Sequence, residues 1–247
     1  MLYVCIPAYN EAPTVGLLLW RLRSVMQDFA REYEILVYDD GSTDSTAETL
    51  KSYTEVLPLT VIAGDGHKGY PRALDELARA VSSRTRYPRR DGMITMQADF
   101  TDRPEDLPEL IKRFEGGADV VVGERQVSQA WPGPARLLHR VAPFVTRPFV
   151  SVANVSDPFG TLRLYRISVL RDMLKNAPAG EPIVRSEGWG ANVEMLVHAS
   201  RHARRIESVT FSPRYELRPR GTRVRPWHGA LALYKSARAL RAATVPA

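Results

Sequence analysis

Two adjacent acids, Asp39 and Asp40, run directly into Gly41-Ser42-Thr43-Asp44, and two more stand in Gln97-Ala98-Asp99-Phe100-Thr101-Asp102. Each group follows a short apolar run, which places it at the carboxyl end of a strand, the rim where open α/β sheets bind ligands. Carboxylates gathered on one rim suit a hard divalent cation bridging a diphosphate, because such ions prefer oxygen ligands. Asp102 has a competing use as the cap of a helix beginning near Pro104, and that use is favoured. Asp, Gly and Ser also make ordinary strand-to-helix loops, so the acids alone leave both readings open. A third loop, Gly64-Asp65-Gly66-His67-Lys68-Gly69, matches the Gly-x-Gly-x-x-Gly dinucleotide fingerprint. It follows a third strand and not the first, and the next strand ends in Gln97, which leaves the ribose-binding acid misplaced. The match is read as coincidence. Lys68 either meets a phosphate as a point charge or stands with His67 on a solvated loop.

These residues need strands to carry them, and strand and helix signals alternate through the first half of the chain. Leu2 to Ile6, Glu34 to Tyr38, Leu57 to Ala63, Gly92 to Met96 and Asp119 to Gly123 are the apolar runs. Between them, Val15, Leu18, Leu19, Leu22, Val25 and Met26 recur at helical spacing, as do Ala73, Leu77, Ala80 and Val81, and Leu107, Leu110, Ile111 and Phe114. Beyond Gly123 the pattern loosens. Gln126 to Pro134 is polar, Arg136 to Val152 has helical patches broken by Pro143 and Pro148, and Gly160 to Tyr165 reads as a strand. Val193 to Ala203 is a helix, Ile206 to Phe211 a strand, and Ala230 to Ala243 a last helix. The expectation is a single α/β domain with a mainly parallel sheet.

Length and composition narrow the classes. The 247 residues suffice for one large core, and 44% hydrophobic with 25% charged residues is the balance of a globular domain. No apolar run reaches the roughly 20 residues of a membrane span, and no signal peptide is visible. A single cysteine, Cys5, lies in the apolar first strand and is read as core packing. Together these point to the cytoplasm. From Arg201 onward there are eleven Lys or Arg against two Glu, which points to an anionic partner: membrane surface, phosphate-bearing substrate or nucleic acid. Nucleic acid is the weakest of these, because the basic residues gather at one end without a recognition motif. In the last helix Leu231, Tyr234, Ala237 and Leu240 fall on one side, with Lys235, Arg238 and Arg241 on another. That pattern fits either an interfacial helix or one docked on the core.

Several segments occur in an order that resembles inverting family 2 glycosyltransferases of GT-A fold, closest to the polyprenyl-phosphate mannose and glucose synthases. They are Ile6-Pro7-Ala8-Tyr9-Asn10-Glu11, Asp39 to Asp44, Lys68-Gly69, the Asp99 turn, Gly123-Glu124-Arg125, Asp157 to Arg166, Gly188 to Leu196 and Phe211-Ser212-Pro213-Arg214. The resemblance implies a mixed, mainly parallel Rossmann-like sheet with helices on both faces. The chain's own pattern divides it into a nucleotide-binding half over residues 1–96, an acceptor half over 97–225 and a basic amphipathic helix over 226–247. Pro7, Tyr9, Glu11 and Asp39 would hold the nucleoside of a GDP- or UDP-sugar, with Asp40, Lys68, Gln97 and Arg125 around the rest of the donor. Asp99 would be the chief residue for a divalent cation, Mg²⁺ or Mn²⁺, and for the diphosphate. Asp157 and Arg163 join Asp99 as catalytic residues, and Arg163 and Arg214 would take the phosphate of a lipid acceptor. The family's Asp-x-Asp with a following Gln is here Gln97, Asp99 and Thr101, so two of three metal positions are weak ligands. Gly160-Thr161 replaces the family's Ser-Gly. A soluble or glycan hydroxyl is the alternative acceptor, and a peripheral place on the membrane's cytoplasmic face follows from the lipid acceptor. A NAD-dependent oxidoreductase remains the competing chemistry.

Overall fold

The computed structural model of the chain describes residues 1–127, 131–177, 181–212 and 225–242. Strands β1 (Leu2–Ala8), β2 (Tyr33–Asp39), β3 (Leu59–Ala63), β4 (Gly92–Thr95), β5 (Val120–Arg125), β6 (Arg163–Arg166) and β7 (Ile206–Phe211) form one sheet in the order β3-β2-β1-β4-β6-β5-β7. All neighbouring pairs are parallel except those of β6, which runs antiparallel between β4 and β5. β1 carries the alternation that a doubly covered sheet demands: Leu2, Val4 and Ile6 enter the core on one face, Tyr3 and Cys5 the core on the other.

Helices α1 (Ala12–Gln27), α2 (Thr46–Tyr53) and α4 (Leu107–Glu115) cover the first face. Helices α3 (Tyr70–Arg84), α6 (Ile167–Asn176) and α7 (Trp189–Ser200) cover the second. A proline sits in the first turn of α1, α3 and α4, where a missing N–H costs least. α5 (Gly133–Thr146) runs through Pro143, which the sequence pattern treats as a break; the proline falls in the last turn, where it removes one bond to the preceding turn and the helix ends three residues later. α6 is absent from the expected elements, although Ile167, Leu170 and Met173 are buried at helical spacing.

The last helix, α8 (Pro226–Ala242), packs on α5 and α7 and shares a third core with them. Ala230, Leu233, Ala237 and Leu240 are buried, whereas Trp227, Leu231 and Tyr234 are exposed. This corrects the expected single apolar side: Ala237 and Leu240 face the protein, and Leu231 and Tyr234 face away from it. No helix among the described residues is long and apolar enough to cross a membrane.

Because β2 and β3 lie on one side of β1 and β4 on the other, the loops after β1 and β4 leave the sheet at its switch point. A crevice opens there in folds of this kind.

Candidate active site

The loops after the first four strands close around a cavity of about 240 Å³, lined by Pro7, Tyr9, Glu11, Asp40, His67 and Asp99 among others. Side chain–backbone bonds shape this rim. Asp39 Oδ1 accepts from the Ser42 N–H at 3.0 Å. Asn10 ties the first loop to the second: its N–H reaches Ser42 Oγ at 3.0 Å, and its side-chain oxygen accepts from the Thr43 N–H at 2.8 Å. Asp40 spends both oxygens on the third loop, accepting from Lys68 N–H at 2.9 Å and Gly69 N–H at 2.8 Å, with His67 Nδ1 at 2.7 Å. Gly41, at φ 71°, packs so close to this loop that a Cβ would lie 2.7 Å from the Gly66 backbone. Only glycine fits such an approach.

These contacts dispose of the dinucleotide fingerprint. The N–H groups that would cradle a pyrophosphate at the start of α3 are already bound by Asp40, and β3 is the edge strand, away from the switch point. Lys68 turns to Asp65, its Nζ 2.5 Å from Oδ1, and does not line the cavity. His67, which the sequence reading leaves on a solvated loop, stacks on Tyr9 with ring centroids 3.8 Å apart and planes 18° from parallel.

Asp99 is 3% exposed and accepts from the Thr101 N–H at 3.1 Å and hydroxyl at 2.5 Å. The intervening Phe100 has φ 63°, and Asn10 on the other switch-point loop has φ 54°. Positive φ at a non-glycine residue stores strain, and both strained residues flank the crevice. Asp102 does not cap a helix, which corrects the favoured reading. Its Oδ2 accepts from the Gln97 N–H at 3.0 Å and the Thr161 hydroxyl at 2.6 Å, and Arg103 is the residue before the short 3₁₀ turn Pro104–Asp106. Burial is the main force pushing the Asp102 pKa up to about 6, and the charge of Asp99 adds to it.

A second cavity of about 420 Å³ shares Gln97, Gly188 and Trp189 with the first and extends between α5 and α8. Beside it, Asp157 accepts from Arg125 through its backbone N–H at 3.1 Å, Nε at 3.0 Å and Nη2 at 3.3 Å. His139 Nε2 stands 3.2 Å from the same carboxylate. Burial alone would raise the Asp157 pKa, but Arg125 and His139 outweigh it and hold the group well below the usual carboxylate range. The Arg125 guanidinium lies 4.4 Å from the centre of the Trp189 ring and 5.4 Å from that of Trp131. His139 meets Trp131, Phe159 and Trp189 edge-on. Glu194 fixes the approach to Trp189 by accepting from the Arg185 and Ser186 N–H groups at 2.9 and 2.7 Å.

Arg163 is placed differently from its expected role at a phosphate. It is 1% exposed in the middle of the sheet, where its guanidinium donates to Pro158 O at 2.5 Å, to Tyr165 Oη at 3.1 Å and to Asn192 O. A side chain so occupied is a strut between the Asp157 turn and α7. Arg214, the other expected acceptor residue, lies outside the described residues. His139 and Asn192 were missed; both act through partners remote in sequence, which no local motif announces.

The sequence profile described as Glycosyl transferase family 2 matches residues 3–174. The chain belongs to this family. It is 33% identical over 174 residues to an undecaprenyl-phosphate 4-deoxy-4-formamido-L-arabinose transferase of Pseudomonas paraeruginosa, covering 69% of this chain and 48% of that protein. It is 30% identical over 186 residues to a dolichol-phosphate mannosyltransferase of Pyrococcus furiosus, covering 73% and 50%. The chain thus spans about half the length of the curated relatives it matches. A Mycobacterium tuberculosis glucosyl-3-phosphoglycerate synthase, solved with Mn²⁺ and UDP-glucose, superposes at a TM-score of 0.65 with 19% identity, covering 100% of this chain and 80% of that one. S. aureus TarS 1–349 with UDP-GlcNAc superposes at 0.59 with 19% identity, covering 90% and 60%. The family 2 chain therefore has the GT-A fold the sequence led us to expect.

Among the described residues no three His, Cys, Asp or Glu side chains converge on a metal position. Mg²⁺ commonly takes one or two protein carboxylates and completes its shell with water and substrate phosphates. Asp99, at the crevice with Gln97 beside it, fits that shared arrangement. Thr101 does not, because its hydroxyl is given to Asp99.

Proposed function

We propose that this chain transfers one sugar, with inversion, from a UDP- or GDP-sugar to a polyprenyl-phosphate-type acceptor. The observation that carries the reading is the junction of the two cavities at Gln97 and Trp189, with the nearby acid Asp157 held as an ion by Arg125 and His139. A hydroxyl acceptor requires a general base to remove its proton, and Asp157, so strongly held ionised, is a poor one. A phosphate oxygen is already ionised near neutral pH and needs only positioning. The names of the relatives support the acceptor class, since they act on undecaprenyl and dolichol phosphates.

The roles follow from placement. Tyr9 offers its ring to the nucleoside, with Pro7 and Glu11 as neighbouring walls, and Asp39, which holds the Ser42 N–H at the same rim, is the acid proposed to meet the nucleoside. Asp99 and Gln97 would hold a divalent cation, which when bound neutralises charge on the diphosphate as it leaves. Arg125, stacked on Trp189 and paired with Asp157, lines the acceptor cavity. In-line attack by the acceptor oxygen on the anomeric carbon breaks its bond to the diphosphate, and the configuration inverts.

The reading includes a peripheral membrane position. Trp227, Leu231 and Tyr234 form an exposed stripe on α8, Leu137 and Phe144 are exposed on neighbouring α5, and Lys235, Arg238 and Arg241 stand exposed on α8. Apolar side chains among basic ones suit an anionic lipid surface.

The test is transfer from a panel of UDP- and GDP-sugars to a short-chain isoprenyl phosphate, with and without Mg²⁺ or Mn²⁺. A glycosyl isoprenyl phosphate is the expected product. Transfer only to glycan or soluble hydroxyls would overturn the acceptor assignment, and binding of NAD in place of nucleotide sugars would overturn the enzyme class.

A further inference from the structure

The acceptor cavity has a wall that the family resemblance does not supply. Its inner side comes from the sheet rim, through Gln97, Asp102 and Arg125, and its outer side from Arg225, immediately before α8, and from His228, Ala232 and Leu233 of α8. Leu138 of α5 completes the apolar part. α8 is held at this place by a close crossing: a Cβ on Gly229 would lie 2.7 Å from Leu138 Cδ2. The Gly229 N–H also bonds the Arg225 carbonyl at 2.8 Å, which fixes the first turn.

The charges around this cavity are unequal in availability. The guanidinium of Arg125 is bound edge-on by Asp157. Among the described residues no carboxylate pairs with Arg225 or His228, and both are exposed to the opening. Two acids also line the space. Asp102 is turned to Gln97 and Thr161, and Glu187 faces the donor loop, its Oε2 3.8 Å from where a Gly69 Cβ would stand. The cationic side of the cavity is therefore the first turn of α8, and its apolar side is the next turn together with Leu138.

We propose that the first turn of α8 selects the acceptor: Arg225 and His228 bind its phosphate, and Leu138, Ala232 and Leu233 bind the first carbons of its chain. This rests on the acceptor class proposed above and assigns to α8 a substrate-binding role in addition to any contact with lipid. Phosphate held there shares one cavity with Gln97 and Trp189, the residues common to both cavities. An isoprenyl alcohol would lose the ionic contacts and keep only the apolar ones.

The experiment compares the full chain with its Arg225→Ala/His228→Ala variant, using a short-chain isoprenyl phosphate as acceptor and calorimetry for the nucleoside diphosphate. Charged hydrogen bonds of this kind correspond to about a 10-fold or greater rise in acceptor KM when both are lost, with donor affinity unchanged. The variant should also lose most of the wild-type preference for the phosphate over the alcohol as competing ligand. Arg225→Lys should restore part of the KM, since a point charge remains. An unchanged acceptor KM in a variant that transfers normally overturns this assignment and leaves the proposed function standing. Equal losses of donor and acceptor affinity would assign the turn to general structure and overturn it as well. A wild type that ignores the isoprenyl phosphate and glycosylates a hydroxyl overturns both.

Discussion

The proposed donor side and the proposed acceptor side of this molecule are built by different means. On the donor side, acids bind backbone N–H groups: Asp39 that of Ser42, Asp40 those of Lys68 and Gly69, Asp99 that of Thr101. The loops are thus fixed by residues that lie in them or one strand away. On the acceptor side, the main links are side chains bound to side chains and carbonyls across the fold: Asp157 with Arg125 and His139, Arg163 with Pro158 and Asn192. Two consequences follow. On the donor rim, loss of one acid leaves neutral peptide N–H groups without an acceptor in partly exposed loops. The acceptor side depends on pairs, each of which leaves a buried charge behind if its partner goes.

Breaking the Asp157 pair gives the largest expected effect. Asp157→Ala leaves Arg125 buried without its counter-ion, and loss of one partner of a buried pair typically costs about 3–5 kcal/mol. Urea unfolding should show that loss, and transfer should fall with it. His139→Ala removes the weaker contact and should cost less. If Asp157→Ala unfolds at the wild-type midpoint, the pair contributes nothing and the contrast between the two sides fails.

Asp99→Asn tests the donor side at its most chemical point. It keeps an oxygen for the Thr101 N–H but removes the charge offered to a cation and diphosphate. Turnover should drop by about 10²-fold or more, as for loss of an electrostatic contact to developing charge. The unfolding midpoint should stay near that of the wild type. Normal turnover in the folded variant would remove Asp99 from the mechanism.

That contrast also decides what could be read from the amino acids alone. The first five strands and the acids at their tips were legible because each signal is local: an apolar run, then Asp, Gly or Ser. The fold class and the order of the family's segments followed from the same local patterns. Asp102 was misread because a carboxylate ahead of a proline-started turn resembles a cap, while its real partner, Thr161, comes from a distant loop. Arg163 was misread for the same reason: its type suggested phosphate, and only the sheet reveals that it is sealed among carbonyls. α8 showed its amphipathic period but not its facing, since Leu231 and Leu233 are equally apolar and only packing on α5 separates them.

Asp40→Ala has a smaller expected effect and probes how far the donor rim depends on one residue. The N–H groups of Lys68 and Gly69 lose their acceptor, and an unsatisfied group costs about 1–3 kcal/mol where water cannot replace the partner. Here the loop is partly exposed, so the effect should lie at the low end. The His67 ring, released from Asp40, no longer has a fixed seat on Tyr9. Nucleotide affinity measured by calorimetry should weaken by about 5-fold to 10-fold with little change in stability. A fall in stability as large as that of Asp157→Ala would erase the distinction drawn above.

A further effect, visible only as a pH dependence, concerns the residue that joins the two sides. Asp102 ties Gln97, at the end of β4, to Thr161, just before β6. Burial raises its pKa to about 6 from an ordinary 3.8, so the folded protein binds this proton more tightly than the unfolded chain does. Its contribution to stability is therefore complete below the unfolded value of 3.8 and is lost as pH rises through about 6. Asp102→Asn keeps an oxygen for both donors and never ionises. Unfolding in EDTA at several pH values should show the variant close to the wild type near about pH 4 and exceeding it by about 2–3 kcal/mol near pH 7.5. The difference should open between those limits and then level off. Parallel curves for the two proteins would place the titration elsewhere and leave Asp102 as a neutral link, with no charge exchanged where donor and acceptor sides meet.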